Sequence, residues 1–270
     1  FVFFDVLRYN GNKGGSMMEI LISRILKYLN GCLNDDYMYR IGSFVVKNYH
    51  QICCYDFSKF IAKAHCTQEE ALSFFKHLGL HSYEEFHEQM NLDKQLRLDQ
   101  IKARMLHTHV DKFLSHLNIK FSKEEFLNTI DEICDLIFQK KRVVIVGALY
   151  PSSIAVDFQT DLITLGKEVI EYHHFDKSFQ FNEDDVVLFI TATGRTMEYN
   201  AKKMVKQNLC DAYVVLVTQN MKYIQFENVC PDYVVHVLGT FDGLEFSYQT
   251  MMILDLMRIR YYEKFYLEEE

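Results

Sequence analysis

The sequence predicts an α + α/β protein: an all-helical first half, then a five-stranded parallel sheet with helices on both of its faces. Three observations predict this. From Met17 to about Leu117 apolar residues recur at helical spacing, with no proline and scarcely a β-rich run. From Arg142 onward, short apolar and β-branched runs alternate with helical segments, the pattern of parallel strands joined by crossover helices. With 270 residues and 49% apolar content the chain can bury two cores. The expected organisation is a disordered appendage over 1–16, a helical domain over 17–97, a helical linker over 98–121 and an α/β domain over 122–270.

The first helix carries Ile20, Leu21, Ile22, Ile25, Leu26 and Leu29 on one face and stops at Asn30-Gly31. A second runs from Asp36 to about Val46. Asp56 caps a third, which turns Phe57, Phe60 and Ile61 inward and ends in the tight turn Ala64-His65-Cys66. Thr67 and Glu70 form a capping box that starts the fourth, which runs to Leu78 and stops at Gly79. Two amphipathic helices, Ser82 to Leu98 and Lys102 to Leu117, follow, and Ser122 with Glu125 opens another that runs to Lys140. Strands are expected over Arg142–Gly147, Lys167–Tyr172, Asp185–Thr191, Tyr213–Thr218 and Tyr233–Val237. A helix over Ser152–Leu165 ends at Gly166, and a last helix spans Leu244–Phe265.

The formal net charge of −8 and pI near 5.8 provide no global positive field, so any nucleic-acid contact has to be local or helped by dimerisation. Seven cysteines form no CxxC pair and no metal-ligand spacing with the eleven histidines, which suits reduced thiols and predicts no metal and no cofactor. No apolar run approaches the ~20 residues needed to span a bilayer. The expectation is a cytoplasmic protein without a membrane partner.

The most informative stretch is Thr191-Ala-Thr-Gly-Arg-Thr196, which leaves a buried strand and enters a helix. Thr191, Thr193 and Thr196 supply hydroxyls, Gly194 allows close approach, and the helix N-terminus supplies N–H groups and a positive dipole end, together a cradle for a phosphate. The same residues also suit a plain turn and helix cap, and taken alone they leave both open. The helix pair Asp56–Lys63 and Thr67–His77 has the separation of a helix-turn-helix, whose second helix enters the major groove N-terminus first, though helix pairs of this length are also common in all-α proteins. Lys63, Thr67, Gln68, Ser73, Lys76 and His77 are the expected DNA-facing groups.

The loop Thr191–Thr196 resembles the phosphosugar loop S-x-S-G-x-T of sugar isomerase (SIS) domains, with threonine in place of serine. Residues 142–266 follow that family's order, including Leu162-Ile-Thr-Leu-Gly166. The chain from about Glu19 to Phe265 resembles the RpiR family of bacterial transcription regulators, in which a helix-turn-helix domain precedes a SIS domain; Thr67–Phe74 and Leu78-Gly79-Leu80 match its second helix. The resemblance implies a regulator of carbohydrate metabolism that is not an enzyme. It further implies binding of a sugar phosphate through Thr191, Thr193, Gly194, Arg195 and Thr196, with Ser152, Ser153 and Glu245, and of an operator in double-stranded DNA, as a homodimer or homotetramer. The alternatives are a sugar-phosphate isomerase and a scaffold whose two sites have decayed.

The departures from the family pattern are specific. Gly147-Ala-Leu-Tyr-Pro151 replaces G-x-G-x-S, with Leu149 and Pro151 where the second glycine and the serine stand, and Ser152 and Ser153 are placed to compensate. Ser73 stands where an arginine is usual, Glu69 and Glu70 crowd the groove-facing end, and His65 takes the turn position usually held by glycine. His173-His174, near the ligand end of the sheet, are expected on the surface or a pocket wall rather than as metal ligands, because adjacent strand residues point to opposite sides. The row Met251, Met252, Leu254, Leu256, Met257 and Ile259 is expected to pack the core and to share in a dimer contact.

Overall fold

The computed structural model describes residues 20–105, 108–120, 122–147, 150–224, 229–240 and 243–267; the 1–16 appendage and Leu149 lie outside them. Helices α1 (Leu21–Asn30), α2 (Tyr37–Lys47), α3 (Phe57–Ala64), α4 (Gln68–His77), α5 (Tyr83–Met105), α6 (Val110–His116) and α7 (Lys123–Gln139) precede the sheet. Then follow β1 (Arg142–Val146), α8 (Tyr150–Thr164), β2 (Glu168–Glu171), β3 (Asp185–Thr191), α9 (Arg195–Val205), β4 (Tyr213–Thr218), β5 (Tyr233–His236) and α10 (Gly243–Phe265).

The five strands are parallel, in the order β2-β1-β3-β4-β5. From β1 the chain crosses over through α8 to one side, and from β3 it crosses through α9 to the other. A right-handed crossover in opposite directions puts the two helices on opposite faces of the sheet. The strands alternate accordingly. Val143, Ile145, Leu188, Ile190, Val215 and Val217 face the core shared with α7, α8 and α10, whereas Val144, Val146, Val187, Phe189 and Leu216 face Met197, Ala201 and Met204 of α9. Arg142 clamps the sheet at its other end, donating from Nε and Nη2 to both oxygens of buried Asp185 at 2.7 and 2.6 Å.

Local chemistry explains the helix ends. Asp56 accepts from Lys59 N–H at 2.7 Å, and both capping boxes form, Thr67 with Glu70 and Ser122 with Glu125. His65 adopts the left-handed conformation (φ 50°, ψ 46°) that the missing turn glycine demands. Phe60, Phe75, Tyr83 and Phe86 then pack into one aromatic core, with ring centroids 4.7–6.2 Å apart.

The pair of helices expected over 82–98 and 102–117 is replaced by the single 23-residue α5 and the short α6. The boundary expected at 97/98 therefore falls inside a helix. Its buried stripe, Tyr83, Phe86, Met90, Asp93, Arg97, Ile101 and Met105, keeps helical spacing throughout. Two of its members are charged, which hides the stripe from an apolar count. Asp93 accepts from the Leu21 N–H, capping α1 from a distant helix where Ile20 offers no side-chain cap. Arg97 reaches α8.

The helical half packs directly on the α/β half. Ser23 pairs with Thr160 (3.0 Å), Asn30 donates to Gln159 (2.7 Å), and His50 Nε2 donates to the Ile163 carbonyl (2.8 Å). Beneath them Asp161, 1% exposed, accepts from Arg97 Nε at 2.6 Å and from Arg258 Nη1 at 2.8 Å, joining α5, α8 and α10.

Tyr39 of α2 also covers the segment after β2, edge-on to His173 (5.4 Å) and Phe175 (5.1 Å). His173 is thus a half-buried interface group rather than a surface or pocket-wall histidine. Burial pushes its imidazolium down to about 4, against the opposing pull of Asp176; His174 lowers it further. Burial lowers His50 as well. The unfolded chain therefore binds a proton at His173 below about pH 6.5 that the folded chain takes up only near pH 4. Stability is full above pH 6.5 and falls as pH drops toward 4, by up to about 1.4 kcal/mol per pH unit for this group. Urea titrations between pH 4.5 and 7.5 should show a shallower slope for His173→Gln; an unchanged slope refutes the assignment.

Candidate functional site

The strand order reverses direction between β1 and β3, and in an open parallel sheet ligands sit at the carboxyl ends of the strands beside such a switch point. β1 ends there at Val146, and the loop Thr191–Thr196 leaves the end of the neighbouring β3. Sequence and topology select the same place.

Thr191 ends β3 with its hydroxyl turned back on the loop, where Oγ1 accepts from Gly194 N–H at 3.1 Å. Gly194 is the N-cap of α9 at φ +85°, a left-handed conformation that glycine adopts without strain. A second constraint acts at the same atom, since a Cβ there would collide with the Tyr223 ring. Arg195 and Thr196 begin α9, Arg195 exposed and Thr196 8% exposed. The first N–H groups of a helix have no intrahelical acceptor, so α9 opens the loop with donors and a positive dipole end. Thr193 is half-buried between them. The loop is short and carries three threonines, with Thr191 Oγ1 taken up by the Gly194 N–H.

The stretch that holds it was not singled out in the sequence. Thr218 Oγ1, opposite Thr191 in the β3–β4 register, lies 3.5 Å from the Ala192 carbonyl and accepts from Asn220 N–H. Asn220 Nδ2 donates to the Thr193 carbonyl at 2.8 Å. Tyr223, in the 3-10 turn Met221–Ile224, donates its hydroxyl to Glu198, the single acid in the first turn of α9. That bond raises the Tyr223 hydroxyl above its ordinary value. The polar triplet Thr218-Gln219-Asn220 directly after an apolar strand was the available signal.

The other expected ligand residues divide. Ser152 and Ser153 fall in the first turn of α8, beside the switch point, and their side chains are outside the described residues. Glu245, in the first turn of α10, accepts from Asn118 Nδ2 at 3.2 Å; Asn118 also donates to the Leu238 carbonyl and to Gln249. Glu245 therefore helps fasten residues 117–119 along β5, where Ile119 bridges Val237. Of the methionine row, Met257 is buried, Met252 half-buried and Met251 exposed. Among the described residues no group of three or more His, Cys, Asp or Glu is placed to hold a metal ion, and no helix is long and apolar enough to cross a membrane.

In the helical half, Lys63, Thr67, Gln68, Ser73, Lys76 and His77 are all exposed. Gln68 and Lys76 lie on the outer face of α4 with Glu69 and Leu72. Ser73 Oγ instead meets Tyr37 Oη at 3.1 Å, and the His77 ring packs edge-on to Tyr28 at 5.1 Å. Those two line the seam with α1 and α2. The carboxylate of Glu70 is occupied by the Thr67 N–H, its role in the capping box.

Sheet order and loop together define a doubly wound α/β protein with a hydroxyl-lined helix terminus at its switch point, joined to a compact bundle of helices. No family model matches the sequence, and no curated protein sequence matches it. Solved structures similar to it include the Vibrio vulnificus NanR protein complexed with ManNAc-6P, 12% identical over 91% of this chain and 92% of that one, with a TM-score of 0.43. A hypothetical protein is 20% identical over 64% of this chain and 92% of its own (TM-score 0.44). The hypothetical protein MJ1247 from Methanococcus jannaschii, for which a molecular function of 3-hexulose-6-phosphate isomerase was inferred, is 19% identical over 63% and 92% (TM-score 0.42).

Proposed function

We propose that the chain is a sugar-phosphate-responsive transcription regulator of the RpiR type, a helix-turn-helix domain joined to a SIS domain, acting without catalysis as a homodimer or homotetramer. The observation that carries the ligand half is the Thr191–Thr196 loop: glycine is required at residue 194 by both its backbone conformation and the Tyr223 ring, and the result is a fixed hydroxyl cradle on a helix N-terminus at the switch point. The DNA half is supported by the α3–turn–α4 geometry and the exposed outer face of α4. Residues 56–79 carry three lysines and three acids, so the contact has no net charge to draw on, and affinity per protomer is low.

The reading is tested by a thermal-shift screen of hexose and pentose phosphates followed by DNA binding at several salt concentrations. An effector at 100 times its Kd adds about 2.7 kcal/mol of stability. Lys63→Ala should flatten the salt dependence of operator binding by about one unit of log–log slope. Binding of a sugar phosphate with turnover that is lost in Glu245→Gln would identify an isomerase instead.

A further inference from the structure

We infer that the side-chain amide of Gln219 recognises a hydroxyl or amide substituent on the carbon skeleton of the phosphosugar whose phosphate sits in the Thr191–Thr196 loop; this rests on the phosphosugar reading above. Gln219 follows the last residue of β4. Because Thr218 is the register partner of Thr191, Gln219 stands one strand over and one residue beyond the start of the loop. Adjacent strands are about 4.8 Å apart, so the Gln219 backbone lies within a hexose's length of the loop, with its amide turned toward Gly239 past the end of β5.

Its side chain is buried and idle. Gln219 is 5% exposed, and among the described residues neither Oε1 nor Nε2 has a hydrogen-bond partner. Buried amides are nearly always paired, and an unpaired one is costly, so such a group calls for an explanation. Its neighbours are employed differently. Thr218 and Asn220 spend their polar atoms on the loop, through Ala192 and Thr193.

A second residue is shaped around the same amide. Gly239, beyond the end of β5, has no left-handed backbone that would require glycine, yet a Cβ there would collide with the Gln219 amide nitrogen. Residue 239 is small so that the amide can lie where it does. A carboxamide offers one acceptor and two donors without charge, which suits a sugar hydroxyl or an acylamino group and does not suit a second phosphate.

The experiment compares wild type, Gln219→Leu and Gly239→Ala by calorimetric titration with inorganic phosphate, a hexose 6-phosphate and its monodeoxy analogues. A site built to bond a hydroxyl rejects the analogue lacking it, so wild type should prefer the parent sugar over one deoxy analogue by about tenfold or more. Gln219→Leu should bind the two within about threefold of each other, keep its affinity for inorganic phosphate, and melt no lower than wild type without ligand, since it removes an unpaired buried amide. Gly239→Ala keeps the amide but displaces it, and should lose the same preference. An unchanged preference in Gln219→Leu overturns the inference and leaves the phosphosugar reading standing. Equal loss of inorganic phosphate binding also overturns it, making the amide a support of the loop. A wild type that binds none of these compounds removes the phosphosugar reading and this inference with it.

Discussion

Replacing Asp161 by asparagine is expected to destabilise the fold by about 3–5 kcal/mol, the cost of leaving buried charge without its counter-ion. Asp161 is buried under the junction of the two halves, with Arg97 of α5 on one oxygen and Arg258 of α10 on the other. Burial pushes its carboxyl up, and the two guanidiniums pull it down. Asparagine preserves the shape and one acceptor but removes the charge between Arg97, whose side chain is 5% exposed, and Arg258, 12% exposed and left with Asp255 alone. Chemical denaturation measures the loss, and a decrease under about 1 kcal/mol would show that water reaches the triad. The companion experiment replaces all three residues with apolar side chains of similar size. Buried ion clusters are often matched in stability by such replacements, so the triple variant should recover most of what the single one loses.

Gly194→Ala is expected to abolish sugar-phosphate binding and to lower stability through two separable terms. An alanine at φ +85° carries about 1–2 kcal/mol of left-handed strain. Its Cβ must also displace the Tyr223 ring, an overpacking cost of about 1–3 kcal/mol. Tyr223→Ala costs stability of its own, since the ring is buried, but a double-mutant cycle isolates the second term: Gly194→Ala should cost about 1–3 kcal/mol less in the Tyr223→Ala background than in wild type, with binding still lost because the loop backbone stays distorted. Titration with the best compound of the thermal-shift screen and urea denaturation separate the two. Full binding in Gly194→Ala would show that the loop does not hold the ligand.

What could be read in the sequence was what is local. The β3 and β4 strands coincide with their expected limits because an apolar run bounded by polar residues fixes both ends. The Thr67/Glu70 and Ser122/Glu125 boxes, and the left-handed Gly79 and Gly166, follow from residue types a few positions apart. The continuity of α5 was not legible, since Asp99 and Gln100 look like an interruption when the helix simply carries Asp99 in solvent and Gln100 half-buried, accepting from Arg97. The candidate site divides in the same way. Thr191, Gly194 and Thr196 are adjacent in sequence and form one loop, whereas Tyr223, Asn220 and Gln219 join it only through the pairing of β3 with β4. Asp161 and His173 owe their surroundings to helices 64 and more residues away, and no period in the chain announces such partners.

The unbroken α5 runs from one half of the molecule to the other. Its first turn sits in the aromatic core with Phe60 and Phe75, and its last turns lie against α8 and α10 beneath the sheet. A helix of 23 residues is about 34 Å long, so a tilt of about 5° at the sheet end carries the far end through about 3 Å. Successive base pairs in duplex DNA are about 3.4 Å apart. In the regulator proposed above, a tilt that small around a bound sugar phosphate would correspond, at the far end of this helix, to a step of almost one base pair.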